Sequence, residues 1–253
     1  MEKISELQAI LNGTFQWNKA RMECFINMLI ALLISRTVNL SKIAAVILGG
    51  KTTKASCYRR VQRFFAKFTI DFDMIAGFIF RLMFVSGGTW HLTMDRTNWR
   101  WGETSINVLV LAIALKGIAI PIYWELLDKK GNSNTKQRIN LLEKFINKFG
   151  QGCIAGFLAD REFIGKDWFN WLSKNNILFC IRIKNNFKTT NSRGGPILVK
   201  SLFYSLKPME LRVLYDKRNI MGCQVYVEAM RLFNGELLIV ATNEFPASPI
   251  KYV

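Results

Sequence analysis

Apolar residues recur at helical spacing before residue 89 and form short strand-like blocks after it. Residues 5–34 predict helices, and Ser41 is predicted to cap a short helix that runs to Leu48 and ends at the following Gly-Gly pair. Residues 53–68 predict a further helix with one apolar and one polar side. The first 88 residues are therefore predicted to form a helical region.

The blocks from residue 89 onward alternate between strands and helices. Consecutive blocks joined by the tight turn Lys116-Gly117 predict antiparallel strands. The order β-β-β-α-β-α-β indicates the α/β class with a mixed sheet. The strands are predicted at residues 89–94, 106–115, 118–124, 153–159 and 177–183, and the helices at 135–149 and 165–174.

Residues 184–245 are predicted to form a third region, which is rich in strands. A polar loop opens it, and Asn234-Gly235 is a strong signal for a two-residue hairpin. The strand-like segments are 197–204, 210–216, 221–233 and 236–242. The predicted domains are thus 1–88, 89–183 and 184–245, and residues 246–253 begin a C-terminal part.

Composition excludes several classes of protein. The apolar stretch Phe25–Ile34 is too short to span a membrane, and Ile106–Tyr123 is broken by Lys, Gly and Pro, so no membrane partner is predicted. A single histidine excludes His-rich metal sites. The five cysteines form no C-x-x-C pair, which predicts buried thiols in a reducing cytoplasm.

Charge points to a partner. The chain has 35 Lys and Arg against 18 Asp and Glu, a formal net charge of 35 − 18 = +17. An excess of this size on an aromatic-rich globular chain indicates a polyanion, most often nucleic acid. The alternative is a basic protein whose charge serves solubility.

The helix predicted at residues 53–68 separates apolar from basic side chains. No acidic residue occurs between Lys51 and Ile70, and a short helix, a Gly-Gly turn and a basic helix resemble a helix-turn-helix. A solvated basic face is the alternative. The apolar side carries Tyr58, Val61, Phe64, Phe65 and Phe68, and the predicted DNA-binding side carries Arg59, Arg60, Arg63 and Lys67.

Asp95 and Asp160 follow the first and fourth predicted strands. The ends of strands are where sites form in open α/β sheets. Two close carboxylates both ionise when a cation lies between them, and oxygen ligands without histidine favour Mg²⁺ or Mn²⁺. Two structural roles are the alternatives: Asp160 as the cap of the next helix, and Asp95 as the ion-pair partner of Arg96.

Two strings around these aspartates resemble a known family. Asp95-Arg-Thr-Asn-Trp99 and Ala159-Asp-Arg-Glu-Phe-Ile-Gly165 are similar to the first and second acidic motifs of bacterial insertion-sequence DDE transposases. The subfamily is the one with a tyrosine-arginine-glutamate-lysine signature. Three further segments also resemble it: residues 58–64, Gly131-Asn132-Ser133 with Arg138, and residues 168–172.

The resemblance implies a ribonuclease-H-like fold with a β-rich insertion. It also implies Mg²⁺ held by Asp95 and Asp160, cleavage at transposon ends and strand transfer to target double-stranded DNA. Arg161 and Glu162 would then position DNA or water. Asn98 and Trp99 would either support the site or pack, and Trp99 is expected in the core. A homodimer in a synaptic complex, in the bacterial cytoplasm at the nucleoid, is the implied assembly.

The third acid of the signature is absent from its expected place. If Tyr252 is the signature tyrosine, the arginine falls at 255 and the glutamate at 259, both beyond Val253. The expectation is a transposase truncated before its third acid and inactive as this chain. The alternative is a non-catalytic protein that binds transposon-end DNA. The remaining glutamates considered as substitutes are Glu228, Glu236 and Glu244.

Overall fold

The computed structural model describes residues 2–47, 52–84, 87–191 and 193–245. The chain divides into two compact units, residues 1–78 and 79–253. The sequence placed its first boundary at residue 88.

The first unit is built from helices. Its two halves share α2, which buries residues against α3 and α4 on one side and against α1 on the other. The first cluster joins Cys24, Met28 and Ala31 to Ile43, Val61 and Phe64, and the second joins Met22 and Ile26 to Leu11 and Phe15. The helices are α1 (Glu2–Thr14), α2 (Lys19–Ser35), α3 (Leu40–Val46), α4 (Lys54–Lys67) and α5 (Phe72–Met83), the last of which continues past residue 78.

The start of α3 differs from the prediction. Asn39, rather than Ser41, is the cap: its side-chain oxygen accepts hydrogen bonds from the backbone N–H groups of Ser41 and Lys42 at 3.1 and 3.2 Å. The helix ends at Val46. The predicted end at Leu48 and the Gly-Gly pair lie outside the described residues.

The amphipathic helix predicted at residues 53–68 is confirmed as α4. Thr53 caps it, Phe68 follows it, and Val61 and Phe64 are buried. One residue assigned to the apolar side is misplaced, because Phe65 is 56% exposed.

The second unit is organised around a mixed sheet. Within the described residues the sheet has nine strands in the order β3-β2-β1-β4-β5-β11-β10-β8, with β9 paired to β10. Strands β1, β4 and β5 run parallel, and the other pairs are antiparallel. The strands are β1 (Trp90–Trp101), β2 (Thr104–Leu115), β3 (Ile118–Leu126), β4 (Ile154–Ala159), β5 (Phe179–Arg182), β6 (Lys188–Thr190), β7 (Pro196–Leu198), β8 (Leu211–Val213), β9 (Arg218–Ile220), β10 (Cys223–Arg231) and β11 (Leu237–Thr242).

Helices α6 (Thr135–Phe149) and α7 (Lys166–Lys174) of this unit agree with the prediction. A capping box starts α6, in which Asn134 and Gln137 each accept the other's backbone N–H, and Gly150 ends the helix at a φ of 85°. Apolar side chains on α7 pack on the sheet, with Phe169 stacked on Phe179 at a ring distance of 4.8 Å.

The β-rich region departs from the prediction in three places. Residues 197–204, predicted as a strand, form the end of β7 and a 3₁₀ turn, Val199–Phe203. The predicted strand 221–233 begins with a turn at Met221-Gly222, where both φ angles are positive. The Asn234-Gly235 hairpin is present, but its loop has three residues and Gly235 adopts a φ of 83°. Strand β11 pairs with β5, so this region extends the central sheet.

No single helix among the described residues is long and apolar enough to cross a membrane. Helices α2 and α3 reach such a length and apolar composition only together, and the pair is bent by 99°. None of the five cysteines, all within the described residues, forms a disulfide, and each is buried except for the half-buried Cys153.

Candidate active site

The two aspartates singled out in the sequence lie at the point where two neighbouring strands, β1 and β4, stop pairing with each other. The parallel ladder of β1 and β4 ends with Met94 opposite Ala159, and Asp95 and Asp160 come next on their strands. Neighbouring strands are about 4.8 Å apart. Both aspartates are exposed. Strands β1 and β4 are therefore neighbours, which is the condition under which the two carboxylates could come close.

Strand β1 is longer than predicted. It was expected to end at residue 94, yet it continues to Trp101 because Arg96–Trp101 stay paired with β2. Asp95 thus lies within a strand, at the point where β1 separates from β4. The antiparallel partner holds the backbone of Asp95 in place opposite Val110.

The structural alternatives for the aspartates do not fit the geometry. Helix α7 starts at Lys166 after Gly165, without a side-chain cap, so Asp160 does not cap it. The Asp160 carboxylate lies 3.8 Å from Nε of Arg182. The Asp95 carboxylate accepts the backbone N–H of Arg96 at 2.7 Å, whereas the Arg96 guanidinium pairs with another acid.

That acid is Glu162, and the pair ties the two acidic motifs together. Arg96 Nε and Nη2 donate to Glu162 Oε1 and Oε2, each at 3.2 Å, in the bidentate geometry that favours Arg–carboxylate pairs. The same guanidinium donates to the side-chain oxygens of Asn107 and Asn132, both at 3.3 Å. Glu162, predicted to position DNA or water, is thus engaged in holding Arg96.

A second arginine, Arg138 of α6, is buried behind this pair. Its guanidinium donates to Ser133 Oγ at 2.9 Å and to the backbone oxygens of Ser133, Glu162 and Ile164 at 2.7, 3.0 and 3.3 Å. Burial lowers the pKa of Arg138, and the negative charge of Glu162 opposes that effect. Arg138 therefore fixes the segment that follows Asp160 to the start of α6.

Asn107 completes the support from the other side. Its amide donates to the backbone oxygens of Lys129 and Gly131, both at 2.9 Å. Sequence reasoning missed Asn107, although a single amide within an apolar strand is a detectable signal. Arg138 and Ser133 entered only through the family resemblance, and Arg96 only as a partner of Asp95.

None of the substitute glutamates joins the aspartates. Glu228 is fully buried in β10, and Glu244 is exposed after β11. Glu236 forms an ion pair with Arg182, the same side chain that approaches Asp160. In the part of the chain that the structure describes, no group of three or more His, Cys, Asp or Glu side chains could hold a metal ion.

The remaining predicted site residues of this unit are at the surface. Asn98 and Arg161 are exposed. Trp99 was placed in the core, and that prediction is wrong because the residue is 47% exposed. Its strand has continued beyond β4, and among the described residues this end of β1 pairs with β2 alone.

A polar groove of about 400 Å³ lies at the outer end of the β1–β2 pair. Its lining includes Asn98, Trp99 and the four cationic residues Arg96, Arg100, Lys129 and Lys130. Arg96 thus borders this groove while it binds Glu162. The groove and Asp95 consequently share one strand, β1.

The first unit presents the predicted basic side chains of α4 at its surface. Arg59, Arg60, Arg63 and Lys67 are all exposed. Arg60 is partly neutralised, since it pairs with Glu23 at 3.6 Å and donates to the backbone oxygen of Ala20. A groove of about 330 Å³ between α2 and α4 is lined by Arg21, Arg60, Arg63 and Lys67.

Comparison with known proteins returns structural similarities only. No protein-family model and no curated protein matches the sequence. The cryo-EM structure of the piggyBac transposase synaptic complex with hairpin DNA superposes with a TM-score of 0.47 at 11% identity, covering 92% of this chain and 53% of that chain. This chain therefore spans about half the length of that transposase.

A second similar structure is the catalytic domain of human endonuclease V. Its TM-score is 0.36 at 10% identity, with 70% of this chain and 74% of that chain covered. Both scores are low, so the function proposed below rests on the site itself.

Proposed function

We propose that this chain is the DNA-binding and metal-binding part of a DDE-type transposase with a ribonuclease-H-like sheet. The observation that carries the proposal is that Asp95 and Asp160 come directly after Met94 and Ala159, the last residues through which the parallel strands β1 and β4 pair. The strand order β3-β2-β1-β4-β5 and the acidic strings around both aspartates support it. The partner would be double-stranded DNA bound by a pair of chains.

The two carboxylates suit Mg²⁺ or Mn²⁺. Adjacent exposed carboxylates repel each other, and a divalent ion relieves that repulsion. Magnesium is commonly held by one or two carboxylates together with water and substrate phosphate, so two protein ligands are a compatible set. When bound, such an ion polarises a phosphate oxygen and stabilises the charge that develops in phosphodiester cleavage.

The surrounding residues hold the aspartates in position. Arg96 and Glu162 join the strand that carries Asp95 to the turn after Asp160. Arg138 anchors that turn to α6. These charged hydrogen bonds fix the chain on which each carboxylate is carried.

Metal titration tests this site. We expect isothermal titration with Mn²⁺ to show binding by the unaltered chain and loss of most of it in Asp95→Asn and in Asp160→Asn. Glu143→Gln, which removes an exposed acid of α6, is the matched control and should retain binding. Equal binding by all four proteins would contradict the metal site.

A second candidate function is DNA binding without turnover. It is favoured because the described residues bring only two carboxylates together. A gel-shift assay on terminal inverted repeats, run beside a strand-cleavage assay with Mg²⁺, separates the two functions. Binding without cleavage supports the binding protein, and cleavage by the 253-residue chain excludes it.

A further inference from the structure

Arg182, the last residue of β5, contacts one of the two aspartates and also a glutamate that precedes β11. Its Nε lies 3.8 Å from Oδ1 of Asp160, and its Nη2 donates a hydrogen bond to Oε1 of Glu236. The side chain of Arg182 is 30% exposed, against 58% for Asp160 and 48% for Glu236. One guanidinium is therefore shared between an acid of the proposed metal site and an acid outside it.

The register of the sheet puts Arg182 on the same face as both aspartates. Residues paired across strands share a face, and α7 packs on the face marked by one aligned row: Leu92, Phe157 and Phe179. Side chains alternate along a strand, so the residues three positions further on, Asp95, Asp160 and Arg182, belong to the opposite face. The contact between Asp160 and Arg182 agrees with this placement. Asp160 thus has the strand of Asp95 on one side and the guanidinium on the other.

The charge of Arg182 acts on the Asp160 carboxylate in the same sense as a bound cation. A positive group close to a carboxylate favours its ionised form and relieves its repulsion by a neighbouring acid. A divalent ion bound to Asp160 would also be repelled by the guanidinium, because like charges a few ångströms apart at a protein surface interact appreciably. Arg182 therefore opposes the binding of an ion at this carboxylate.

Glu236 is fixed in the loop between β10 and β11. Its backbone N–H donates to Oδ1 of Asn234 at 2.9 Å, and its backbone oxygen accepts the N–H of Leu232 at 2.8 Å. The carboxylate that receives Nη2 of Arg182 is thus carried on an ordered segment. Its negative charge offsets part of the guanidinium charge and holds that end of the side chain on the β11 side.

We propose that Arg182 competes with a divalent ion for the Asp160 carboxylate, and that Glu236 weakens this competition by pairing with the guanidinium. The pair thereby sets the ion concentration at which the acidic site is occupied. This inference rests on the proposed function, because it requires that an ion binds at Asp160.

Isothermal titration with Mn²⁺ at low ionic strength tests the role of Arg182. We expect Arg182→Gln to lower the dissociation constant for Mn²⁺ by about 3- to 10-fold, since a partly exposed repulsive charge is removed. Arg182→Lys keeps the charge and should stay close to the unaltered chain. Lys174→Gln is the matched control: it removes an exposed cation of α7 and should leave the constant unchanged. Tighter binding is not a result that partial unfolding produces.

The role of Glu236 has its own readout. Glu236→Gln should raise the dissociation constant for Mn²⁺ by about 2- to 5-fold, because the full charge of Arg182 then acts on Asp160. The increase should be smaller when Glu236→Gln is made in Arg182→Gln, since the charge through which Glu236 acts is absent. Both single-variant effects should shrink at high ionic strength, where exposed charges are screened.

Equal Mn²⁺ affinities of Arg182→Gln and the unaltered chain would overturn the proposal. Equal effects of Glu236→Gln with and without Arg182 would overturn the part assigned to Glu236. If Asp160→Asn abolishes binding and Arg182→Gln leaves it unchanged, this inference alone is rejected and the metal site remains. If neither the unaltered chain nor Arg182→Gln binds Mn²⁺, the metal site of the proposed function is rejected together with it.

Discussion

Arg96 and Arg138 belong to one polar network but stabilise different contacts. Arg96 is at the surface edge, where its bidentate pair with Glu162 aligns the two acidic strings. Arg138 is 4% exposed, and its guanidinium satisfies backbone oxygens on two loops. Removal of a buried donor of this kind leaves its acceptors without partners, which costs more than the bonds themselves contribute.

Arg138→Met is therefore expected to destabilise the protein by about 3 kcal/mol, because a similar volume remains while the hydrogen bonds are lost. Urea denaturation followed by circular dichroism measures the free energy of unfolding. Lys136→Met, at an exposed position of the same helix, should change it by no more than about 0.5 kcal/mol. Similar values for both variants would show that the Arg138 contacts do not stabilise the fold.

Contacts between individual residues were the hardest feature to predict from the sequence. Glu162 and Arg96 are 66 positions apart, and no local pattern links them. Trp99 was assigned to the core because tryptophan is usually buried. Its exposure depends on β1 passing beyond the edge of β4, which sequence spacing does not encode.

At the level of elements, α3 shows how a single residue decides where a helix begins. Asn39 and Ser41 are both good cap residues, but only the Asn39 side chain accepts the free N–H groups of the first turn. Asn39→Ala is expected to lower the unfolding free energy of the first unit by about 1 kcal/mol.

The unfolding free energies of Asn39→Ala and Ser41→Ala distinguish the two candidate cap residues. Ser41→Ala should have an effect below about 0.5 kcal/mol, since its N–H remains bonded to Asn39. Thermal denaturation of the two variants in parallel is sufficient. A larger loss in Ser41→Ala than in Asn39→Ala would assign the cap to Ser41.

Elements with strong local signals were predictable from sequence. Helix α6 has a capping box, apolar spacing and a terminal glycine, and its observed limits match the predicted 135–149. The segment 197–204 was wrongly predicted to be a strand, because an apolar run of that length is compatible with a strand as well as with a short 3₁₀ turn. The polar end of β1 was missed because pairing with β2, rather than its own residues, keeps it extended.

For the whole molecule, the net charge of +17 makes salt the main variable in any DNA affinity. Arg63 is exposed on α4 and lines the basic groove with Lys67. We expect Arg63→Ala to weaken duplex binding and to reduce the salt slope by about 0.9, the contribution of one phosphate contact.

Filter binding across a range of salt concentrations measures that slope. Lys144→Ala on α6 removes the same charge from a surface outside the proposed contacts and should leave the slope unaltered. An unchanged slope in Arg63→Ala would identify α4 as a solvated basic face.

The order of strands in the central sheet has a kinetic consequence. Strand β4 inserts between β1 and β5, and β11 joins β5 only through Cys180–Arg182, so neighbours in the sheet come from distant parts of the chain. The long loops between these strands must close, with a loss of chain entropy, before the strands can pair, and this slows folding. The β1–β2–β3 hairpins can form early and locally, whereas the edge that carries Asp160 awaits the arrival of β4. The acidic pair is accordingly expected to be among the last features assembled when the chain folds.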